Sequence, residues 1–143
     1  MTLSIPVWSL LAFAAWTLIV LMIGVGIQRW AQILTGRAAI NDFPADRTLG
    51  SDAYRRAMRA HANCIENLPV FGAIVLCIAI LNIASPLLDV LSVATVAARV
   101  AQSTLHLSLR ESRWMVSTRF SFFSVQLIAM LVMIAVILQT AAA

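Results

Sequence analysis

The sequence predicts an all-α integral membrane protein in which a single domain, residues 1–143, forms a bundle of four transmembrane helices. Of the 143 residues, 62% are hydrophobic and only 11% are charged, a composition that excludes an ordinary soluble domain. Long apolar stretches alternate with polar connections, and each stretch is long enough to cross a hydrocarbon core of about 30 Å. We expect spans at about residues 5–28, 54–83, 87–109 and 116–140.

The first span is predicted because no ionisable side chain precedes Arg29. A signal peptide is the alternative, but the stretch has no basic N-terminal region and its apolar run is too long. Trp8 and Trp30 lie near the two ends, as expected for aromatic side chains at membrane–water interfaces. Gly24 and Gly26 favour close contact with another helix.

The second span follows the one sizeable polar loop, which ends near residue 54. Ser51 or Asp52 is positioned to cap this second helix. Pro69 removes one backbone hydrogen bond inside it and should bend the helix there.

One side of the second helix is strongly polar. Helical periodicity of about 100° per residue turns His61 away from this side. Charged groups are costly at a bilayer edge, so they form either a structural ion network or a ligand site, and several together favour a site. The side chains that share the polar side are Arg56, Arg59, Asn63 and Glu66.

The third predicted helix carries a matching polar face, made of Arg99, Gln102, His106 and Arg110 at spacings of three, four and four. Both polar faces lie toward the basic connections, so an antiparallel helix pair brings them to the same bilayer edge. The fourth span begins near that edge with Arg119 in its first turn. Polar faces on several helices need partners, and we therefore expect an oligomer.

The arginines predict the topology. All ten basic residues are arginine, with six in residues 29–59 and three in residues 110–119. By the positive-inside rule both basic segments are cytoplasmic and both termini lie outside, as expected for a bacterial inner membrane. The net charge of +4 favours anionic lipid headgroups as partners, whereas nucleic-acid binding has no support. Cys64 and Cys77 lie on one predicted helix and cannot bridge each other, and no metal site is predicted.

The pattern Arg59-Ala60-His61-x-Asn63-x-x-Glu66-Asn67-x-Pro69-x-Phe71 resembles the second-helix signature of the MAPEG family, the membrane-associated proteins in eicosanoid and glutathione metabolism. Residues 98–101 and 119–123 are similar to motifs in the third and fourth helices of that family. The resemblance implies a homotrimer of four-helix subunits that binds glutathione between neighbouring subunits at the cytoplasmic edge.

The resemblance also implies roles for individual residues. Arg59 and Arg99 are expected to clamp carboxylates or to hold Glu66, and Glu66 or Asn63 to receive the amine or an amide of glutathione. Arg119 is the expected catalytic residue, because a nearby guanidinium favours the thiolate form of the thiol. His61 lies off the main face, so a structural role bonded to the first loop is the alternative for it. The residues assigned to glutathione are Arg56, Arg59, His61, Asn63, Glu66, Arg99 and His106, with Arg56 and Arg37 as weaker matches.

The implied activity is that of a microsomal-type glutathione transferase or peroxidase, acting on apolar electrophiles or lipid hydroperoxides. Some positions depart from the family pattern, since His106 stands where many members carry Tyr and Gln102 where some carry His. Other functions stay open: a lipid-binding member without catalysis, a four-helix multidrug exporter with Glu66 as its proton-coupled carboxylate, and a haem bundle ligated by His61 and His106. An exporter, however, needs its carboxylate near mid-membrane without arginines beside it.

Overall fold

A computed structural model gives the positions of residues 3–37, 39, 51–108 and 113–142. In these residues the regular structure is entirely helical, which confirms the predicted all-α architecture. The predicted Arg110 lies outside the described residues. The four helices are α1 (Ile5–Leu34), α2 (Asp52–Ile80), α3 (Pro86–Ser108) and α4 (Arg113–Ala142).

Helix α1 is longer than predicted and is not uniformly α-helical. It continues to Leu34, beyond the expected end near residue 28, and its middle, Val20–Gly26, is a π-helical segment. At Gly24 a Cβ atom would lie 3.0 Å from the Cβ of Ala57, so a larger residue would force α1 and α2 apart by a few tenths of an ångström. The prediction of a close helix contact is thus confirmed at Gly24. A Cβ atom on Gly26 would meet only the backbone of α1 itself.

Polar side chains join the end of α1 to the start of α2. Ser51 is the N-cap of α2, and its hydroxyl accepts a hydrogen bond from the backbone N–H of Tyr54 at 3.2 Å. The Arg29 Nε atom donates to the Tyr54 hydroxyl at 2.6 Å. The Ser51 hydroxyl also donates to the Gln28 side chain at 3.4 Å. Helix α2 then continues without interruption through Pro69.

Helix α3 contacts α1, α2 and α4. Its buried face is unusually polar for a membrane protein. Ser92 and Thr95 satisfy their hydroxyls by donating to the backbone carbonyls of Leu88 and Leu91, one turn earlier in the same helix. The buried polar and charged side chains of α3 are Ser92, Thr95, Arg99, Gln102, Ser103 and His106.

An apolar core fills the rest of the bundle. The rings of Phe13 in α1 and Phe71 in α2 pack with their centroids 5.8 Å apart. Leu88 of α3 and Met133 of α4 are fully buried in the same cluster. All four helices therefore pack against one another in this core, at the end of the bundle away from the connection between α3 and α4.

By length and composition, α1, α2 and α4 are each long and apolar enough to cross a membrane, and α3 is not among them. Many large apolar side chains face outward, including Met22, Ile80 and Leu131. An outward apolar surface of this kind is what a hydrocarbon environment requires. The protein is therefore an integral membrane protein, and most of the polar side chains of α3 face the inside of its bundle.

Candidate functional site

Three helices meet at the side chain of His106, near the end of α3. The Nδ1 atom of His106 lies 3.1 Å from Nη1 of Arg119 in α4. Its Nε2 atom lies 3.5 Å from the side-chain nitrogen of Asn63 in α2. The imidazole is only 8% exposed, so these contacts are shielded by the surrounding helices. The structure thus joins three predicted site residues directly, and we call Asn63, His106 and Arg119 the polar triad.

Arg99 lies about 10 Å deeper along α3 than His106. Its side chain is 1% exposed, and its guanidinium carbon lies 5.7 Å from the centre of the Phe13 ring. Within the described residues, neither Nε nor Nη2 of Arg99 has a hydrogen-bond partner. Glu66 is close enough for electrostatic attraction. Of the two predicted roles for Arg99, burial favours holding Glu66 over direct contact with a ligand.

The polar side of α2 is more exposed than its sequence suggests. Arg59 and Glu66 are exposed, and Arg56 and Asn63 are half-buried. Nε of Arg56 is buried without a hydrogen-bond partner among the described residues. Of the four side chains on this side, the structure brings Asn63 into the polar triad and Glu66 near Arg99. The weaker candidate Arg37 is exposed just beyond the end of α1.

His61 faces a different neighbour. It is half-buried against the backbone of Thr17, so it contacts the middle of α1 rather than the first loop. Its Nδ1 atom is buried and has no hydrogen-bond partner in the described part of the chain. The two histidines are therefore turned toward different helices, and both ring nitrogens of His106 are already engaged. This arrangement disfavours the haem hypothesis.

A second buried polar contact was missed at the level of sequence. The side-chain nitrogen of Gln126 in α4 donates to the side-chain oxygen of Gln102 in α3 at 3.0 Å, and Gln126 is fully buried. One amide in the middle of a long apolar helix is a signal that could have found it, because such a group needs a partner in the membrane. The hydroxyl of Ser103 makes a similar contact with the Cys64 sulfur at 3.5 Å.

An apolar groove runs between α2 and α4 on the side of Pro69 away from the polar triad. It has a volume of about 570 Å³, and its walls are the side chains of both helices. Cys77 lies in this groove as an exposed free thiol, whereas Cys64 is a buried free thiol. The residues that line the groove are Pro69, Val70, Ala73, Ile74, Cys77, Ile134, Ile137 and Leu138.

The helices and the polar triad define an integral membrane helical bundle with a site rich in hydrogen-bond donors near one end. The sequence model of the MAPEG family matches residues 6–139, almost the whole chain, and the protein belongs to the MAPEG family. Comparisons with curated proteins and with solved structures give no match. Membership supports a general function in glutathione-related or eicosanoid metabolism in a membrane.

Proposed function

We propose that this protein binds glutathione beside the polar triad and uses it to modify apolar molecules that dissolve in the bilayer. The observation that carries the proposal is the direct contact of Asn63, His106 and Arg119 from three different helices. The guanidinium and the amide thus contact the two nitrogens of one shielded imidazole ring. Glutathione has two carboxylates and one ammonium group, so a site with several arginines and one glutamate complements its charges.

In this proposal the exposed side of α2 binds the charged ends of the tripeptide. The guanidinium of Arg59 is accessible and can form two parallel hydrogen bonds with a carboxylate. Glu66 is accessible to the ammonium group, and the charge of Arg99 attracts it from inside the bundle. Because this side is open in a single subunit, a neighbouring subunit is expected to complete the site. The assembly that we propose is a homotrimer.

In this proposal the guanidinium of Arg119 lies near the sulfur of glutathione. It is half-buried near the start of α4, and His106 holds one of its nitrogens. A guanidinium near the thiol stabilises the thiolate, which is the nucleophile. With an aryl halide, the thiolate forms a carbon–sulfur bond and the halide leaves. With a lipid hydroperoxide, two glutathione molecules give one disulfide, and the hydroperoxide becomes an alcohol and water.

The apolar groove between α2 and α4 suits a bound lipid rather than the molecule that reacts at Arg119, because Ile134 lies about 22 Å along α4 from Arg119. Its lining carries no charge, and outward-facing side chains such as Val70 and Leu138 leave it open to the surrounding lipid. The same groove also suits a non-catalytic member of the family that binds lipids.

An exporter that uses Glu66 is less favoured, since Arg99 attracts this carboxylate electrostatically. For the setting of the protein we propose a bacterial inner membrane, with both basic segments in the cytoplasm.

The experiment that tests the proposal is calorimetric titration of the purified protein with glutathione in detergent. A matched control ligand is the tripeptide in which aminobutyrate replaces cysteine, because it keeps both carboxylates and the ammonium group but lacks the thiol. We expect both peptides to bind. The absence of any heat of binding for glutathione would reject the proposal. If glutathione binds but an aryl halide is not turned over, the lipid-binding alternative is supported instead.

A further inference from the structure

The contact between His106 and Arg119 restricts where the proton of the imidazole ring can be. A guanidinium has N–H donors and no acceptor. The Nδ1 atom of His106, at 3.1 Å from Nη1 of Arg119, must therefore accept the hydrogen bond through a free lone pair. A protonated ring has no such lone pair. The contact thus requires a neutral ring that carries its hydrogen on Nε2.

The other side of the ring fits the same arrangement. Nε2 of His106 lies 3.5 Å from one end of the Asn63 carboxamide. The two ends of a carboxamide are alike in size, so turning it over presents its oxygen to the Nε2–H group. Arg119 then donates to His106, and His106 donates to Asn63. Each side chain holds the next, and the three come from α4, α3 and α2.

We propose that His106 is a positioning residue that fixes Arg119 through its Nε2–H tautomer. An arginine side chain has several rotatable bonds, and Arg119 is half-buried rather than confined by packing. Holding Nη1 at His106 leaves the opposite edge of the guanidinium to face a ligand. The inference rests on the proposed function only for the identity of that ligand, a glutathione thiolate. It gives His106 a role through Arg119 rather than through direct contact with glutathione.

Two amide substitutions separate the two sides of the ring. In His106→Asn the side-chain oxygen can lie near the position of Nδ1, so an acceptor for Arg119 is kept and the contact with Asn63 is lost. In His106→Gln the amide reaches the position of Nε2, so the contact with Asn63 is kept and the acceptor for Arg119 is lost. Both replacements are uncharged. They therefore differ mainly in whether Arg119 or Asn63 keeps its hydrogen-bond partner at position 106.

The first measurement is a nuclear magnetic resonance spectrum of isotope-labelled histidine in the full-length protein without glutathione. The chain has two histidines, and His61→Gln assigns the signals. At neutral pH we expect His106 to be the Nε2–H tautomer in the parent and to lose this preference in Arg119→Met. A ring that is protonated, or that carries its hydrogen on Nδ1, would overturn the inference.

The second measurement is the thiolate absorbance of bound glutathione at neutral pH. We expect His106→Gln and Arg119→Ala each to lower the ratio of thiolate to thiol by about tenfold. Loss of one close cation raises the pKa of a thiol by about one unit. His106→Asn should restore most of that loss. Equal losses in both amide variants would overturn the positioning role. If the parent does not bind glutathione at all, the proposed function fails, and the tautomer measurement still decides the role of His106.

Discussion

Replacing Arg99 with Met should make the ligand-free protein more stable and reduce its response to glutathione. Arg99 is 1% exposed, and two of its nitrogens have no hydrogen-bond partner among the described residues. Met has an unbranched apolar side chain that can follow much of the same path and keep contact with Phe13. The substitution therefore removes an unsatisfied charge without leaving a large cavity.

The size of the effect follows from the unsatisfied groups. Each buried donor without a partner costs about 1–3 kcal/mol, so the two nitrogens together cost about 2–6 kcal/mol. The substitution also removes the attraction between Arg99 and Glu66, which offsets part of the gain. Replacing a whole buried ion pair with apolar residues is often neutral or stabilising by about 1–4 kcal/mol, and Glu66, which is exposed, is not left as a buried charge here. In a chain of this size, each kcal/mol corresponds to a rise of about 3 °C in the melting temperature.

The assay is thermal unfolding in detergent, with and without glutathione. A ligand at about 100 times its Kd stabilises the state that binds it by about 2.7 kcal/mol, and the parent protein should show an increase of this order. Arg99→Met should melt several degrees higher than the parent without glutathione and should show a smaller increase with it. The matched control is Arg113→Met, because Arg113 is exposed at the start of α4 and its loss should change neither value.

A lower melting temperature for Arg99→Met in the absence of glutathione would refute this reasoning. It would mean that the guanidinium is satisfied in the assembled protein, for example by a carboxylate of a neighbouring subunit. Loss of such a partner leaves an uncompensated charge and is typically destabilising by about 3–5 kcal/mol. The sign of the change therefore separates an unsatisfied arginine from a paired one.

Other expected outcomes concern the exposed residues, the sulfur and the assembly. Glu66→Gln and Arg59→Ala should both weaken glutathione binding in calorimetry, and Glu66→Gln should also lower the melting temperature because it removes the carboxylate that attracts buried Arg99. Unchanged affinity in both variants would exclude this side of α2 as the site. Arg119→Ala should lower turnover much more than affinity for glutathione, because Arg119 is proposed to lower the pKa of the thiol from about 8.5, and each unit is worth about 1.4 kcal/mol. An equal loss of turnover and affinity would mean that Arg119 contributes to binding alone. Light scattering in mild detergent should give about three times the subunit mass of 15.6 kDa, and a monodisperse monomer would contradict the homotrimer.

The fold and the meeting of the polar faces could be predicted because they depend on local patterns. Apolar length predicts membrane helices, and helical periodicity places Asn63 and His106 on polar faces of α2 and α3. Short connections make neighbouring helices antiparallel, which brings the end of α3 beside the start of α4 and so His106 beside Arg119. The cap at Ser51 is equally local, since it depends on one hydroxyl and the backbone of the next turn.

Partners across helices could not be predicted in the same way. Periodicity gives the angle of a side chain around its own helix axis, but not the rotation of that helix against its neighbours. The contact of His61 with α1, the pairing of Gln102 with Gln126 and the depth of Arg99 all depend on that rotation. The π-helical segment of α1 adds to the difficulty, because it shifts the register of the residues beyond it, and no feature of the sequence identified it.

A buried polar group in this bundle needs a partner from elsewhere only where its own helix does not already satisfy it. Ser92 and Thr95 are buried in α3, yet each hydroxyl is satisfied by a carbonyl of its own helix and needs nothing from a neighbour. Arg99 lies on the same helix and cannot be satisfied in this way, because its donors are too many and too far from the backbone. The hydrocarbon core holds no bulk water that could hydrogen-bond such a group, so its cost persists until a partner binds. Arg99, rather than the buried hydroxyls, is therefore the group on α3 whose hydrogen-bond partner remains to be found.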